Sequence, residues 1–224
     1  KSIDVGQSNP NNGEVFNDYA NNIASGQYSH AEGYKTVATG NYAHAEGYTN
    51  TPSNYYASGE CSHIEGLNTK ATNNGCHAEG VYTAATGPYA HAEGFATTAS
   101  AQASFAEGYN TFANGDNSHA EGQYTTASGY YSHAGGLRTI AQGQCMTAIG
   151  QFNTVSSNDN IQSVNRLLVV GNGTSNSSKS DAFEVKTSGA VIINSTRTGT
   201  TPSLTIGPNS KAITGTTASS SSTN

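Results

Sequence analysis

Between Ser29 and Gly150 the apolar positions are small and recur in a fixed order. A phrase that places an apolar residue between His and Glu and closes on Gly appears as SHAEG (29–33), AHAEG (43–47), SHIEG (62–66), CHAEG (76–80) and AHAEG (90–94). It continues as SFAEG (104–108), SHAEG (118–122), SHAGG (132–136) and, in worn form, MTAIG (146–150). A second phrase, Thr-x-Ala, lies between copies at 36–38, 83–85, 97–99, 111–113, 125–127 and 139–141. Alternation with a period of two predicts short β-strands, two per repeat, separated by turn residues.

The closing glycines are Gly33, Gly47, Gly66, Gly80, Gly94, Gly108, Gly122, Gly136 and Gly150. They are 14 residues apart everywhere except between Gly47 and Gly66, where the gap is 19. A period this short excludes helix-pair repeats and propeller blades and predicts an all-β solenoid, one coil per repeat. A second glycine follows seven residues after the anchor at Gly40, Gly87, Gly115, Gly129 and Gly143, and is missing at Asn54, Asn73 and Ala101. Asn tolerates left-handed backbone, which accounts for two of the three exceptions.

Strand alternation puts His and Glu on one face and the residue between them on the other. In Thr-x-Ala the middle slot holds Val37, Lys70, Phe112 or Ile140, so it looks outward and Thr and Ala point into the coil. Small residues on that wall call for larger ones opposite, given the usual gap of about 10 Å between sheets. On this argument His and Glu face the coil interior, the alternative being a subunit axis. Phe105 in a His slot and Ile149 in a Glu slot fit a face that accepts apolar side chains.

Of the 224 residues, 34% are hydrophobic and 11% charged, with 26 Gly and no Trp. Such a coil buries little apolar area per residue, so several chains are expected to pack side by side. The net charge is −6 and no Lys/Arg cluster occurs, which argues against nucleic acid and anionic membranes as partners. Three cysteines, Cys61, Cys76 and Cys145, are irregularly placed; Cys61 and Cys76 lie in neighbouring rungs but in different slots, which disfavours a disulfide. No apolar run is long enough to span a membrane, and no leader pattern is present. The start at Lys1 reads as a processed or trimmed chain.

In order, 1–14 reads as a polar lead-in and 15–157 as the repeat domain, with a worn first rung over Val15–Ser29. The five extra residues before Gly66 are expected to bulge as a loop carrying Pro52, Tyr55 and Tyr56, the candidate surface-binding loop. Residues 158–194 change period and predict three strands, at 166–170, 182–186 and 190–193, forming a small sheet that would clasp the subunits. Residues 195–224 read as a partial second roll or linker, with SLTIG at 203–207 and a low-complexity tail.

MTAIG and SLTIG resemble the repeat of the left-handed parallel β-roll heads of trimeric autotransporter adhesins. The HAEG form with Thr-x-Ala-Ser-Gly between copies is more similar to phage tail fibres and tailspikes that use the same roll, and 167–193 is similar to the module that follows it there. The resemblance implies a left-handed homotrimer in a phage tail, a receptor-binding shaft contacting a host-surface receptor or glycan and other tail proteins. A bacterial surface adhesin head is the alternative, and a tailspike depolymerase a third reading. That last would need clustered carboxylates outside the repeat, and Asp159, Asp181 and Glu184 stand far apart in sequence.

His30, His44, His63, His77, His91, His119 and His133 form one column, accompanied by Glu32, Glu46, Glu65, Glu79, Glu93 and Glu121. Rungs about 4.8 Å apart bring stacked His and Glu within hydrogen-bonding reach. The column is read as a structural ladder with no metal or other cofactor, although His and carboxylate two residues apart are also metal-ligand chemistry. Identical rungs offer no unique nucleophile, so no enzyme is expected. Glu beside His predicts imidazoles that stay protonated to higher pH and a roll weakened by alkali. Tyr28, Tyr34, Tyr42, Tyr48, Tyr82, Tyr89, Phe95, Tyr109, Tyr124, Tyr130 and Tyr131 are expected to pack over turn glycines or neighbouring subunits, a sugar-binding line being the other use of such rings.

Overall fold

A computed structural model describes residues 14–15, 21–160 and 165–193, and every element within them is a β-strand. The chain winds into a parallel solenoid of about nine turns. A regular turn holds one five-residue strand and one two-residue strand, as in His91–Phe95 and Thr98–Ala99. The five-residue strands stack in register, so that His77 lies beside His91 and Gly80 beside Gly94. Across the long turn the register is kept by pairing Gly47 with Gly66. The lead-in up to residue 13 and the partial second roll at 195–224 lie outside the described residues.

Two-residue strands build the second wall, from Lys70–Ala71 to Ile140–Ala141, with Ile23–Ala24 and Val37–Ala38 paired beyond the long turn. Ala57 bridges Ala38 on one side and Ala71 on the other. The extra residues therefore leave the coil before this wall, and the repeat resumes at Ala57. Gly59, not Asn54, holds the second glycine slot of that turn: a β-carbon on Gly40 would meet its carbonyl oxygen at 2.0 Å.

The expected direction of the Thr-x-Ala face is found: Thr83, Ala85, Thr97 and Ala99 are fully buried. The expected direction of the His/Glu face is reversed. Ala78, Ala92, Ala106, Ala120 and Ala134, the residues between His and Glu, are completely buried, while the histidines and glutamates lie half-buried or exposed on the outside of the coil. The expectation assumed an ordinary sandwich gap. A fourteen-residue turn with tight corners is too narrow for that, and methyl and hydroxyl groups from both walls fill it. Larger interior residues occur where the coil is irregular: Ile64 at the end of the long turn, and Met146 and Val169 near its C-terminal end.

The corners explain the glycines. Gly94 has φ +110, and a β-carbon on it would lie 2.3 Å from the carbonyl oxygen of Gly108. Gly115 serves a different need: its φ is not in the left-handed region, but an added β-carbon would approach Gly129 O to 2.1 Å. Left-handed backbone falls also on side-chain-bearing residues such as Tyr42, Tyr89 and Tyr131, with φ of 58, 60 and 59. Each such residue is strained by about 1–2 kcal/mol, a cost that in-register stacking must offset.

Beyond Gly150 the long sheet continues. Arg166–Asn172 pairs in parallel with Thr147–Gln151, setting Val169 beside Ala148. Asp181–Lys186 and Val191–Ile193 then add antiparallel. The three strands expected as a separate small sheet thus extend the long one, and their hairpins end the parallel stacking.

Candidate functional site: the outer ladder and the aromatic edges

The outer face of the long sheet carries one unbroken file of rings. His30, His44, His63, His77, His91, Phe105, His119 and His133 follow one another with centroids 4.5–5.0 Å apart, a spacing set by strand separation. Phe105 fills a His slot without interrupting the file, because stacking asks for a ring and not for a nitrogen. Glu32, Glu46, Glu65, Glu79, Glu93, Glu107 and Glu121 run alongside.

His and Glu meet in four close pairs. Two lie on one rung, His30–Glu32 at 3.5 Å and His91–Glu93 at 3.7 Å. Two cross between rungs, His119–Glu107 at 3.7 Å and His133–Glu121 at 3.2 Å. The Nε2 atoms of His63, His77, His91 and His119 are shielded from water and make no hydrogen bond. Burial lowers the pKa of His63 and His91, and the neighbouring imidazoles lower it further. This overturns, for these two, the expectation that glutamate keeps them protonated: burial acts first, His63 has imidazoles on both sides and His91 has one, and Glu65 and Glu93 reach into solvent.

Two groups bring three metal-ligand atoms within 4.8 Å of one another, His30–Glu32–His44 and Glu107–His119–Glu121. The closing glycines Gly33 to Gly150 form corners and contribute no side chain to this face.

The candidate loop folds back on the roll. Tyr55 contacts Tyr82 edge-on at 6.4 Å, and the Lys70 ammonium sits 5.7 Å from the Tyr56 ring centroid. Pro52, Tyr55 and Tyr56 are half-buried. At one corner, Tyr28 stacks on Tyr42 at 5.4 Å and Tyr89 lies over Gly75. At the other, Tyr34 stacks on Tyr48, Phe95 on Tyr109, and the Arg138 guanidinium covers Tyr124 at 4.2 Å. Packing over a turn glycine is thus seen at Tyr89, while Tyr89 and Tyr131 remain 66% and 59% exposed.

The sequence missed one cluster. Asp159 and Asp181, 22 residues apart in the chain, both bind Arg166, and all three are buried. Arg166 Nε donates to Asp159 Oδ2 at 2.7 Å, Nη1 to Asp181 Oδ2 at 3.2 Å, and Nη2 to the carbonyl of Thr154 at 3.1 Å. Asp181 also accepts from the backbone N–H and hydroxyl of Thr154. The available signal was an arginine leading an apolar strand, Leu167–Val170, since a charge in such a strand needs partners. Glu184 does not join them; its nearest cation is Lys186 at 4.0 Å.

All three cysteines are free: Cys61 and Cys145 are exposed, and the buried Cys76 thiol donates to Gly87 O at 2.9 Å. Among the described residues no helix is long and apolar enough to cross a membrane. No protein-family profile and no curated protein matches the chain.

Proposed function

We propose that this chain is the rigid shaft and receptor-binding segment of a trimeric phage tail fibre, built on the left-handed β-roll its repeats resemble. It acts by extension and multivalent contact, not by catalysis. The observation that carries the reading is the interior: a solenoid of about nine turns packed with alanine, threonine and serine. A buried methyl contributes only about 0.8 kcal/mol, so a free-standing rod of this kind gains from packing its outer faces on identical neighbours. The imidazole file is the face best suited to this, since its stacked rings are already half withdrawn from water.

In that arrangement the exposed Tyr corners are left to meet a host-surface receptor or glycan, and the ends to meet other tail proteins, placing the protein in the virion. The worn rung MTAIG at 146–150 favours a second reading, the head of a bacterial surface adhesin with the same trimeric packing. A depolymerase is disfavoured because Asp159 and Asp181 are both committed to Arg166.

Light scattering coupled to size exclusion tests the proposal. The expected mass is three times the 23.0 kDa chain, in an elongated particle. A monomer or dimer at micromolar concentration would refute it.

A further inference from the structure

Between residues 105 and 135 the outer ladder departs from its pattern twice. Phe105 stands in a His slot, so Glu107 has no imidazole on its own rung. Gly135 stands in a Glu slot, so His133 has no carboxylate on its own rung. The two departures leave Glu107, His119, Glu121 and His133 together on three successive rungs. His119 Nε2 is 3.7 Å from Glu107 Oε1, and His133 Nε2 is 3.2 Å from Glu121 Oε1. Ligand atoms of Glu107, His119 and Glu121 all lie within 4.8 Å of one another.

Gly135 also clears the space beside them. A β-carbon at that position would come within 3.0 Å of Glu121 Oε1 and 3.2 Å of His133 Nε2. His119 Nε2 is shielded from water and makes no hydrogen bond, with Glu107 Oε1 facing it beyond hydrogen-bonding distance at 3.7 Å. No other stretch of the ladder combines a carboxylate freed from its own rung with a gap of this kind.

We propose that Glu107, His119, Glu121 and His133 form a divalent transition-metal site whose two imidazoles and two carboxylates suit zinc. Zinc–ligand bonds of about 2.0–2.2 Å in a tetrahedron place donor atoms about 3.2–3.6 Å apart. Ligand atoms of Glu107, His119 and Glu121 already lie within 4.8 Å of one another, and His133 Nε2, 3.2 Å from Glu121 Oε1, would join them by side-chain rotation with the strands left in place. Two carboxylates neutralise the ion, and neutral imidazole is the form that binds it. The metal would tie three rungs together across the middle of the long sheet. The ladder expected to be metal-free thus contains one place where its own irregularity builds a coordination shell. The inference does not depend on the proposed function.

Isothermal titration of the chelator-stripped full chain with zinc chloride near neutral pH tests it. Saturable binding is expected, weakened more than about tenfold in Glu121→Gln. It is expected to weaken several-fold in Gly135→Ala, which removes no ligand group but crowds Glu121 Oε1 and His133 Nε2. Glu65→Gln, on the same ladder away from the site, should bind as the parent does. Absence of saturable binding, or binding unchanged in both Glu121→Gln and Gly135→Ala, overturns the assignment. So does binding lost in His44→Gln but kept in Glu121→Gln, which would place zinc at His30–Glu32–His44.

Discussion

The side-chain amide of Asn153 closes both backbone groups of Ile140: Ile140 N–H donates to Oδ1 at 2.8 Å, and Nδ2 donates to Ile140 O at 3.0 Å. One rung earlier the same backbone position pairs with the next coil, Thr126 N–H donating to Thr139 O. Asn153 therefore substitutes for a rung that does not follow. At the other end, Asn22 Oδ1 accepts from the N–H and hydroxyl of Thr36, and its Nδ2 donates to Gly33 O. A side-chain amide thus stands at each end of the buried Thr column, where a solenoid wall would otherwise expose an open edge.

Asn153→Ala should destabilise the roll by about 1–3 kcal/mol, because it removes a fully buried amide and leaves the half-buried Ile140 N–H and C=O without partners. Urea denaturation against Asn114→Ala, at an exposed residue, checks this. Equal loss in the two variants would show that Asn153 does not cap the wall.

Arg166→Met removes the only cation that either buried carboxylate contacts among the described residues. The expected loss is about 3–5 kcal/mol, since breaking one side of a buried ion network leaves uncompensated charge. Arg166→Lys should recover only part of it, because one ammonium cannot reproduce the fork to Asp159, Asp181 and Thr154 O. Denaturant midpoints of the two variants separate these outcomes.

The interior argument is tested at Ala92, fully buried between Ala78 and Ala106. Ala92→Leu should cost about 1–3 kcal/mol or abolish folding, as overpacking does in close-packed cores. Ala84→Leu, in the outward slot of the short strand, should change stability by less than about 0.5 kcal/mol. A tolerated Ala92→Leu would mean a coil wider than the structure has.

The pH response should be acidic. His63 and His91 have pKa values lowered from the ordinary 6.5, by burial first and then by neighbouring imidazoles. Below about pH 6.5 the unfolded chain binds more protons than the folded one, so stability falls as the pH drops and levels off once the folded histidines are protonated. Above that range these two groups contribute no pH dependence. Glu65, Glu79 and Glu93 oppose the effect without reversing it. Urea midpoints between pH 5 and 8 should show this slope, and the pair His63→Gln with His91→Gln should flatten it.

The fourteen-residue period, two strands per coil and the stacking of Gly80 on Gly94 were all legible in the sequence, because each depends on spacing along the chain. The burial of Thr83 and Ala85 was legible too, since Lys70 marks the opposite slot as outward. Alternation also showed that His and Glu share a face, but period two cannot say which face is inside. That was decided by the width of the coil, which follows from how tightly the corners at Gly94 and Gly115 bring neighbouring backbones together. The second glycine slot of the long turn was read at Asn54 and lies at Gly59, because an inserted segment shifts counting but not stacking. The Asp159–Arg166–Asp181 cluster is a product of tertiary structure alone, whereas the column holding His119, Glu121 and His133 was legible and only its close approach to Glu107 was not. The arginine cluster joins residues from separate segments, and only the wound chain brings their atoms within hydrogen-bonding distance.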